Sequence, residues 1–122
     1  MQKTIYDRLG GKEAINAVVS RFYEKIQADK SLARFFENTN MDYLRKSQAA
    51  FMTMALGGPN EYKGANMRDA HARLVSDGLA QKHFDTVAGH LIATLREFKI
   101  PDSLIDETIA VVATTHNDVL GL

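Results

Sequence analysis

The sequence contains no cysteine. That removes disulfides, thiolate nucleophiles, iron–sulfur clusters, zinc fingers and attachment of haem through a C-x-x-C-H pair. It also suits a reducing compartment, and a cytoplasmic location is the expectation. Charge of one sign is missing as well: 15 Lys and Arg balance 15 Asp and Glu. A nucleic-acid surface usually shows a basic excess, so no nucleic-acid partner is expected. The longest aliphatic run, Ile109 to Ala113, is far too short for a bilayer, and the first residues carry no signal-peptide core. No membrane partner is expected. Proline occurs only twice, and four of the 8 glycines gather at Gly10-Gly11 and Gly57-Gly58-Pro59, where they mark breaks. P-loop, G-x-G-x-x-G, G-x-S-x-G, H-E-x-x-H and EF-hand patterns are all absent.

What is present is a chain of 122 residues, 45% hydrophobic and 25% charged, the composition of an ordinary globular protein. The length fits one domain over residues 1–122, and a monomer is expected. Between the breaks the apolar residues repeat with a helical period. Ile15, Val18, Val19, Phe22, Tyr23 and Ile26 form one stripe; Met41, Leu44, Gln48, Phe51, Met52 and Ala55 form a second. Met67, Ala70, His71 and Leu74 follow, then Phe84, Val87, Ala88, Leu91, Leu95 and Phe98, and finally Leu104, Ile105, Ile109, Val112, His116 and Val119. No useful segment alternates with period two, so the pattern predicts an all-α fold of about five helices. Thr39 with Asp42, and Ser103 with Asp106, look like helix starts. The ten-residue connection from Gly57 to Asn66 is long for a helical bundle, where about 2–8 residues is usual. Such loops often wrap something.

Polar groups on apolar stripes carry the chemical signal. His71 reads either as a core histidine bonded to a carbonyl or as a metal ligand, Nε2 facing the metal and Nδ1–H held by backbone. Tyr23 either packs its ring and sends its hydroxyl to water or points the phenol into a dry cavity. Gln48 either leans to the edge or shares a pocket with Tyr23, since a buried amide without partners costs about 1–3 kcal/mol. His116 reads as a half-buried histidine near the C-terminus. His83 and His90 stand two turns apart, about 10 Å, too far for one metal ion. On these residues alone, a haem-free helical interaction module stays open beside a ligand-binding protein.

Several blocks, in order, resemble the truncated haemoglobins of group 1. They are Leu9-Gly10-Gly11, Arg21-Phe22-Tyr23, Phe35-Phe36-Glu37-Asn38-Thr39-Asn40-Met41, the run Ala55 to Gly64, Met67-Arg68-Asp69-Ala70-His71, and His83-Phe84. The resemblance implies a globin-like, two-over-two helical sandwich around haem b. It implies His71 as the iron ligand, Phe36 against the haem face, and Tyr23 and Gln48 as the distal polar pair. Leu44 stands where many relatives carry a distal glutamine, so one donor is lost. Ser47 stands where some cyanobacterial relatives carry an iron-binding histidine, which implies an open or water-filled sixth position. Met52 replaces a tunnel-gating phenylalanine found in some relatives, and His116 falls near a histidine that in some relatives bonds covalently to haem.

On this resemblance, Phe51, Met67, Leu74, Phe84 and Val87 are expected to wall the cofactor, and Lys46, Tyr62, Lys63 and Arg68 to meet its propionates. The implied partners are dioxygen, nitric oxide and carbon monoxide. The implied function is reversible gas binding. Conversion of nitric oxide and dioxygen to nitrate is an enzymatic alternative that needs a separate reductase or small reductant. A gas sensor or a peroxidase-like redox protein are the other readings.

Overall fold

Helix α2 (Gly11–Ala28) occupies the centre of the molecule because one of its faces is almost entirely aliphatic and aromatic. Ile15, Val18, Val19, Phe22, Tyr23 and Ile26 are all buried, as expected for residues spaced three and four apart on one face. The structure is a computed structural model, and it describes residues 3–60, 62 and 67–122. Before α2 comes α1 (Ile5–Leu9); after it come α3 (Lys30–Ala33) and a 3₁₀ turn (Arg34–Phe36). The remaining helices are α4 (Met41–Ala55), α5 (Met67–Ser76), α6 (Gln81–Glu97), α7 (Asp102–Ala113) and α8 (His116–Leu120). No strand occurs among the described residues, and none of their helices is long and apolar enough to cross a membrane.

Helix α2 packs against α4 on one side and α6 on another, α1 spans α2 and α7, and α6 packs on α7. On the far side α5 packs against α8. Ala49, Met52 and Leu56 from the α4 side meet Leu91 and Leu95 of α6 and Leu104 and Ile105 of α7 around α2. Thr94 and Thr108 are fully buried, yet neither is unpaired. Each hydroxyl donates to the carbonyl one turn back, His90 at 2.7 Å and Leu104 at 2.8 Å, which lets a helix bury a threonine. Chain entry is set by α1: Tyr6 N–H donates to the Leu56 carbonyl at 2.9 Å. Gly57 sits in this crossing with φ 94°, and a Cβ there would lie 2.9 Å from the Thr4 side chain. Exposed ion pairs stitch the periphery: Arg21 and Lys25 of α2 to Glu97 of α6, and Arg8 of α1 to Glu107 of α7. Each contributes little on its own.

The helical periods predicted from the sequence place α2, α4, α5 and α6 correctly. The stripe from Leu104 to Val119 is two helices rather than one. Thr114 and Thr115 interrupt it, their hydroxyls donating to the carbonyls of Val111 at 2.6 Å and Val112 at 2.7 Å, a local bond that competes with helix propagation. Both expected helix starts shift. Asn40, not Thr39, caps α4, its Oδ1 accepting from Tyr43 N–H at 3.1 Å. Helix α7 opens at Asp102 behind Pro101, so Ser103 lies inside its first turn.

Leu95 is 1% exposed at the centre of this packing. Leu95→Ala is expected to lower unfolding stability by about 2–5 kcal/mol, the range for a large-to-small change in a closed core. Urea denaturation followed by far-ultraviolet circular dichroism measures it.

Candidate functional site

Beside this core the helices enclose a cavity of about 280 Å³, near the lower end of small-molecule and cofactor sites. Its walls come from α2, the α3–3₁₀ segment, α4, α5, α6 and the α7–α8 junction. No lining side chain among the described residues carries a formal charge. Eleven residues singled out in the sequence border it: Tyr23, Phe36, Leu44, Gln48, Phe51, Tyr62, Met67, His71, Leu74, Phe84 and Val87. Met52 and Ser47 border it too.

Three predicted residues are not brought together with these. Lys46 lies in a separate, open groove between α2 and α4 with Asn16, Ser20, Asp42 and Arg45. Arg68 turns away to α8, pairing its Nε with Asp118 at 3.3 Å and donating Nη2 to the main-chain oxygen of Leu122. Lys63, with most of the loop before Met67, lies outside the described residues. His116 does not border the cavity; its two ring nitrogens meet the side chains of Gln81 and Asn117.

Helix α5 delivers His71 by a simple local rule. Its apolar side chains at Met67, His71 and Leu74 are spaced three and four apart and so share one face. That face borders the cavity, and none of the helix's ten residues is buried. His71 Nδ1 lies 2.8 Å from the Met67 carbonyl oxygen, one turn back. A carbonyl only accepts, so Nδ1 carries the proton and Nε2 keeps its lone pair. No described residue bonds Nε2.

Helix α2 delivers Tyr23, whose ring is 6% exposed and set edge-on to Phe36, with centroids 6.3 Å apart. Burial alone pushes its phenol well above the ordinary tyrosine range, so it stays a protonated donor. No described residue accepts that hydroxyl. No sealed and unpartnered side-chain oxygen or nitrogen occurs among the described residues, so the hydroxyl opens onto the cavity. Gln48, half-buried on α4, likewise has no hydrogen-bond partner among them.

The donor set tests what the cavity could hold. No group of three or more His, Cys, Asp or Glu side chains among the described residues could grip a metal ion. One imidazole cannot retain a metal alone. It suffices when the metal arrives in a macrocycle that brings its own nitrogens. An uncharged cavity, one imidazole lone pair and two unpaired polar side chains fit a haem.

Sequence reading missed part of the wall. Leu32 and Phe35 border the cavity from the α3–3₁₀ segment, and Thr115 of the threonine break and Val119 after it also border it. The signal for the first was Asp29, whose carboxylate caps α3 by accepting from Ser31 N–H at 2.9 Å. That carboxylate also accepts from His90 Nε2 at 2.7 Å, tying the segment to α6. His83 is buried edge-on to Phe35, and its Nδ1 accepts from Ala80 N–H at 2.9 Å, capping α6. Burial lowers its pKa, which favours the neutral ring the cap needs.

The comparisons with known proteins agree with this geometry. A family model described as bacterial-like globin matches residues 4–120. The chain is 45% identical over 119 residues to a group 1 truncated haemoglobin of Tetrahymena pyriformis, covering 98% of this chain and 96% of that one. It is 44% identical to a group 1 truncated haemoglobin of Synechocystis, with 97% and 98% covered. Among solved structures, the ferric T. pyriformis truncated haemoglobin superposes with TM-score 0.91 at 45% identity, over 97% of this chain and 98% of that one. A Synechococcus 2/2 haemoglobin, in the cyanomet state with covalently attached haem, superposes with TM-score 0.94 at 41% identity, over 98% and 100%.

The His90–Asp29 bond has a pH signature. The hydrogen bond from His90, then those from Ser31, lower the Asp29 carboxyl from 3.8 to about 2. A folded-state pKa below the unfolded one stabilises the fold above the unfolded value, and that gain is lost as pH falls through the folded value. The difference in denaturation midpoint between wild type and Asp29→Asn is therefore expected to shrink from about pH 4 to about pH 2. Midpoints across an acid series give the answer.

Proposed function

The chain belongs to the bacterial-like globin family, among the group 1 truncated haemoglobins, and on that premise we propose that residues 1–122 form one globin domain that reversibly binds dioxygen and other diatomic gases. Its fold is the family's two-over-two helical sandwich, and its cofactor is haem. One observation carries the reading: among the described residues, a half-buried imidazole with an unbonded Nε2 borders an uncharged cavity where a phenol and an amide lack protein partners. When bound, haem supplies an iron with a coordination position open to a small gas.

The chain's own residues supply selectivity and protection. His71 would hold the iron through Nε2, and its Nδ1–H, bonded to the Met67 carbonyl, keeps the ring in the tautomer that can ligate. Phe36, Phe51, Leu74, Phe84 and Val87 exclude water, which slows oxidation of the cofactor and strengthens every polar contact inside. Tyr23 would donate a hydrogen bond from its hydroxyl to the bound gas, and Gln48 would orient that phenol or donate alongside it. Leu44 contributes no donor, so this pair is the whole distal polar set proposed. Tyr62, set edge-on to Phe51 at 5.3 Å and bordering the cavity, is the propionate partner this reading assigns. Oxidation of nitric oxide to nitrate at the same site would take both oxygen atoms from dioxygen, use the same donors, and need one electron per turnover from a donor beyond these residues.

Absorption spectra test the ligand assignment. His71→Ala is expected to lose the wild-type ferrous, gas-free spectrum and regain it with added imidazole; an unchanged spectrum in the variant sinks the assignment. Stopped-flow dissociation tests the distal donor. Tyr23→Phe removes a bond to a charge-bearing ligand worth about 1.5–3 kcal/mol, so dioxygen is expected to leave about 10–100 times faster.

A further inference from the structure

We propose that helix α8 is a strap, buckled to α5 at one end and to α6 at the other, and that Arg68, Asp118, His116 and Gln81 are positioning residues that hold the His71 helix against the cavity. The inference rests on the reading of His71 given above and deepens it.

Helix α5 cannot be gripped from both sides by protein. Met67, His71 and Leu74 face the cavity, and none of its ten residues is buried. Its protein packing is chiefly against α8. A helix so placed takes its orientation from whatever holds its outer face.

The first buckle is at Arg68, three residues before His71. Its guanidinium pairs with Asp118 at 3.3 Å and donates to the Leu122 main-chain oxygen. Leu122 reaches Arg68 because the chain reverses at Gly121, which has φ 70° in the left-handed region that favours glycine. Leu122 N–H then closes onto the Asn117 carbonyl at 2.8 Å, and Val75 of α5 sits against Gly121. The second buckle is at Gln81, the first residue of α6. Its Nε2 donates to Asp85 Oδ1 at 2.7 Å, which turns Oε1 toward His116. Since Oε1 only accepts, His116 Nε2 carries a proton and donates it. The imidazole is also set edge-on to Phe84, with centroids 5.0 Å apart, and Phe84 borders the cavity. Thr115, just before the strap, and Val119 within it border the same cavity, and Leu120 is buried.

Exposed ion pairs add little to global stability. Loosening the buckles therefore acts locally, on the opening of one helix. The test uses Arg68→Gln, Asp118→Asn and Gln81→Met, singly and as the pair Arg68→Gln with Gln81→Met. Two readouts are taken: haemin transfer from the loaded protein to an excess of a haem-scavenging apoglobin, and amide hydrogen exchange of the haem-free protein.

The paired variant is expected to lose haemin about five- to tenfold faster, and its α5 amides to exchange faster by a similar factor. Amides of α2 and the centre of α6 are expected to keep wild-type protection. Asp118→Glu, which keeps the carboxylate, is expected to retain wild-type transfer. Unaltered transfer and α5 exchange in the paired variant overturn the strap, as does a loss of protection spread equally over all helices. The His71 assignment fails separately, through an unchanged ferrous spectrum in His71→Ala.

Discussion

The bond from His71 Nδ1 to the Met67 carbonyl is the interaction on which the site depends. It decides which ring nitrogen carries the proton, and so which one offers a lone pair. Because donor and acceptor are four residues apart on one helix, the tautomer is set by secondary structure alone and needs no partner from elsewhere in the fold. That matters in a helix with no buried residue. The orientation of α5 as a body depends on its neighbours, but the chemical identity of its nitrogen does not. A stretch that is helical and places a carbonyl one turn before a histidine is already half of a ligand site.

The cavity and the core compete for the same helix. Val18, Val19, Phe22, Tyr23 and Ile26 of α2 count among the buried core and also border the cavity. A phenol at position 23 without a partner among the described residues is a poor choice for stability, since an unpaired buried polar group costs about 1–3 kcal/mol. The bill is limited by geometry: the hydroxyl opens to the cavity while the ring packs against Phe22 and Phe36. The rest of the core shows what is done when no ligand is at stake. Thr94 and Thr108, fully buried, return their hydroxyls to the carbonyl one turn back and leave nothing unpaired. The contrast between two satisfied threonines and one unsatisfied tyrosine separates packing from binding more sharply than polarity does.

The same contrast explains which features were readable in the sequence. Periodicity reports which face of a helix leaves water, and it located α2, α4, α5, α6 and the cavity-facing positions on each. It does not report whether a face meets protein or a guest, and so His71, Tyr23 and Gln48 each kept two readings until the cavity was seen. Charge carries still less positional information. Lys46 and Arg68 are both basic and both near the right helices, yet one lines an outer groove and the other reaches the chain end. Nothing in a lysine or arginine says which way a long flexible side chain will turn. The wall from Leu32 and Phe35 escaped notice because four helical residues and a 3₁₀ turn are too short to show a period. Their order comes from Asp29, which caps α3 and binds His90 sixty-one residues away, a pairing that only the fold creates.

A helix that serves a cofactor slot gives up one face to the guest, and the fold must make good the loss from outside. The α3–3₁₀ segment does so through Asp29 and His90, a bond that fastens it to α6. Helix α6 does so through its own start, where buried His83 caps the first turn from N3 because Ala80 has no side-chain acceptor to offer. These histidines stand outside the cavity, on the elements that carry its walls. The chain thus uses its imidazoles in two ways. At His71 a backbone carbonyl accepts the Nδ1–H bond and leaves Nε2 bare for chemistry. At His83 and His90 one ring nitrogen serves structure, a cap in one case and a bond to a carboxylate in the other. What distinguishes the first from the others is neither sequence spacing nor an unbonded second nitrogen but position: His71 borders the uncharged cavity, and His83 and His90 do not.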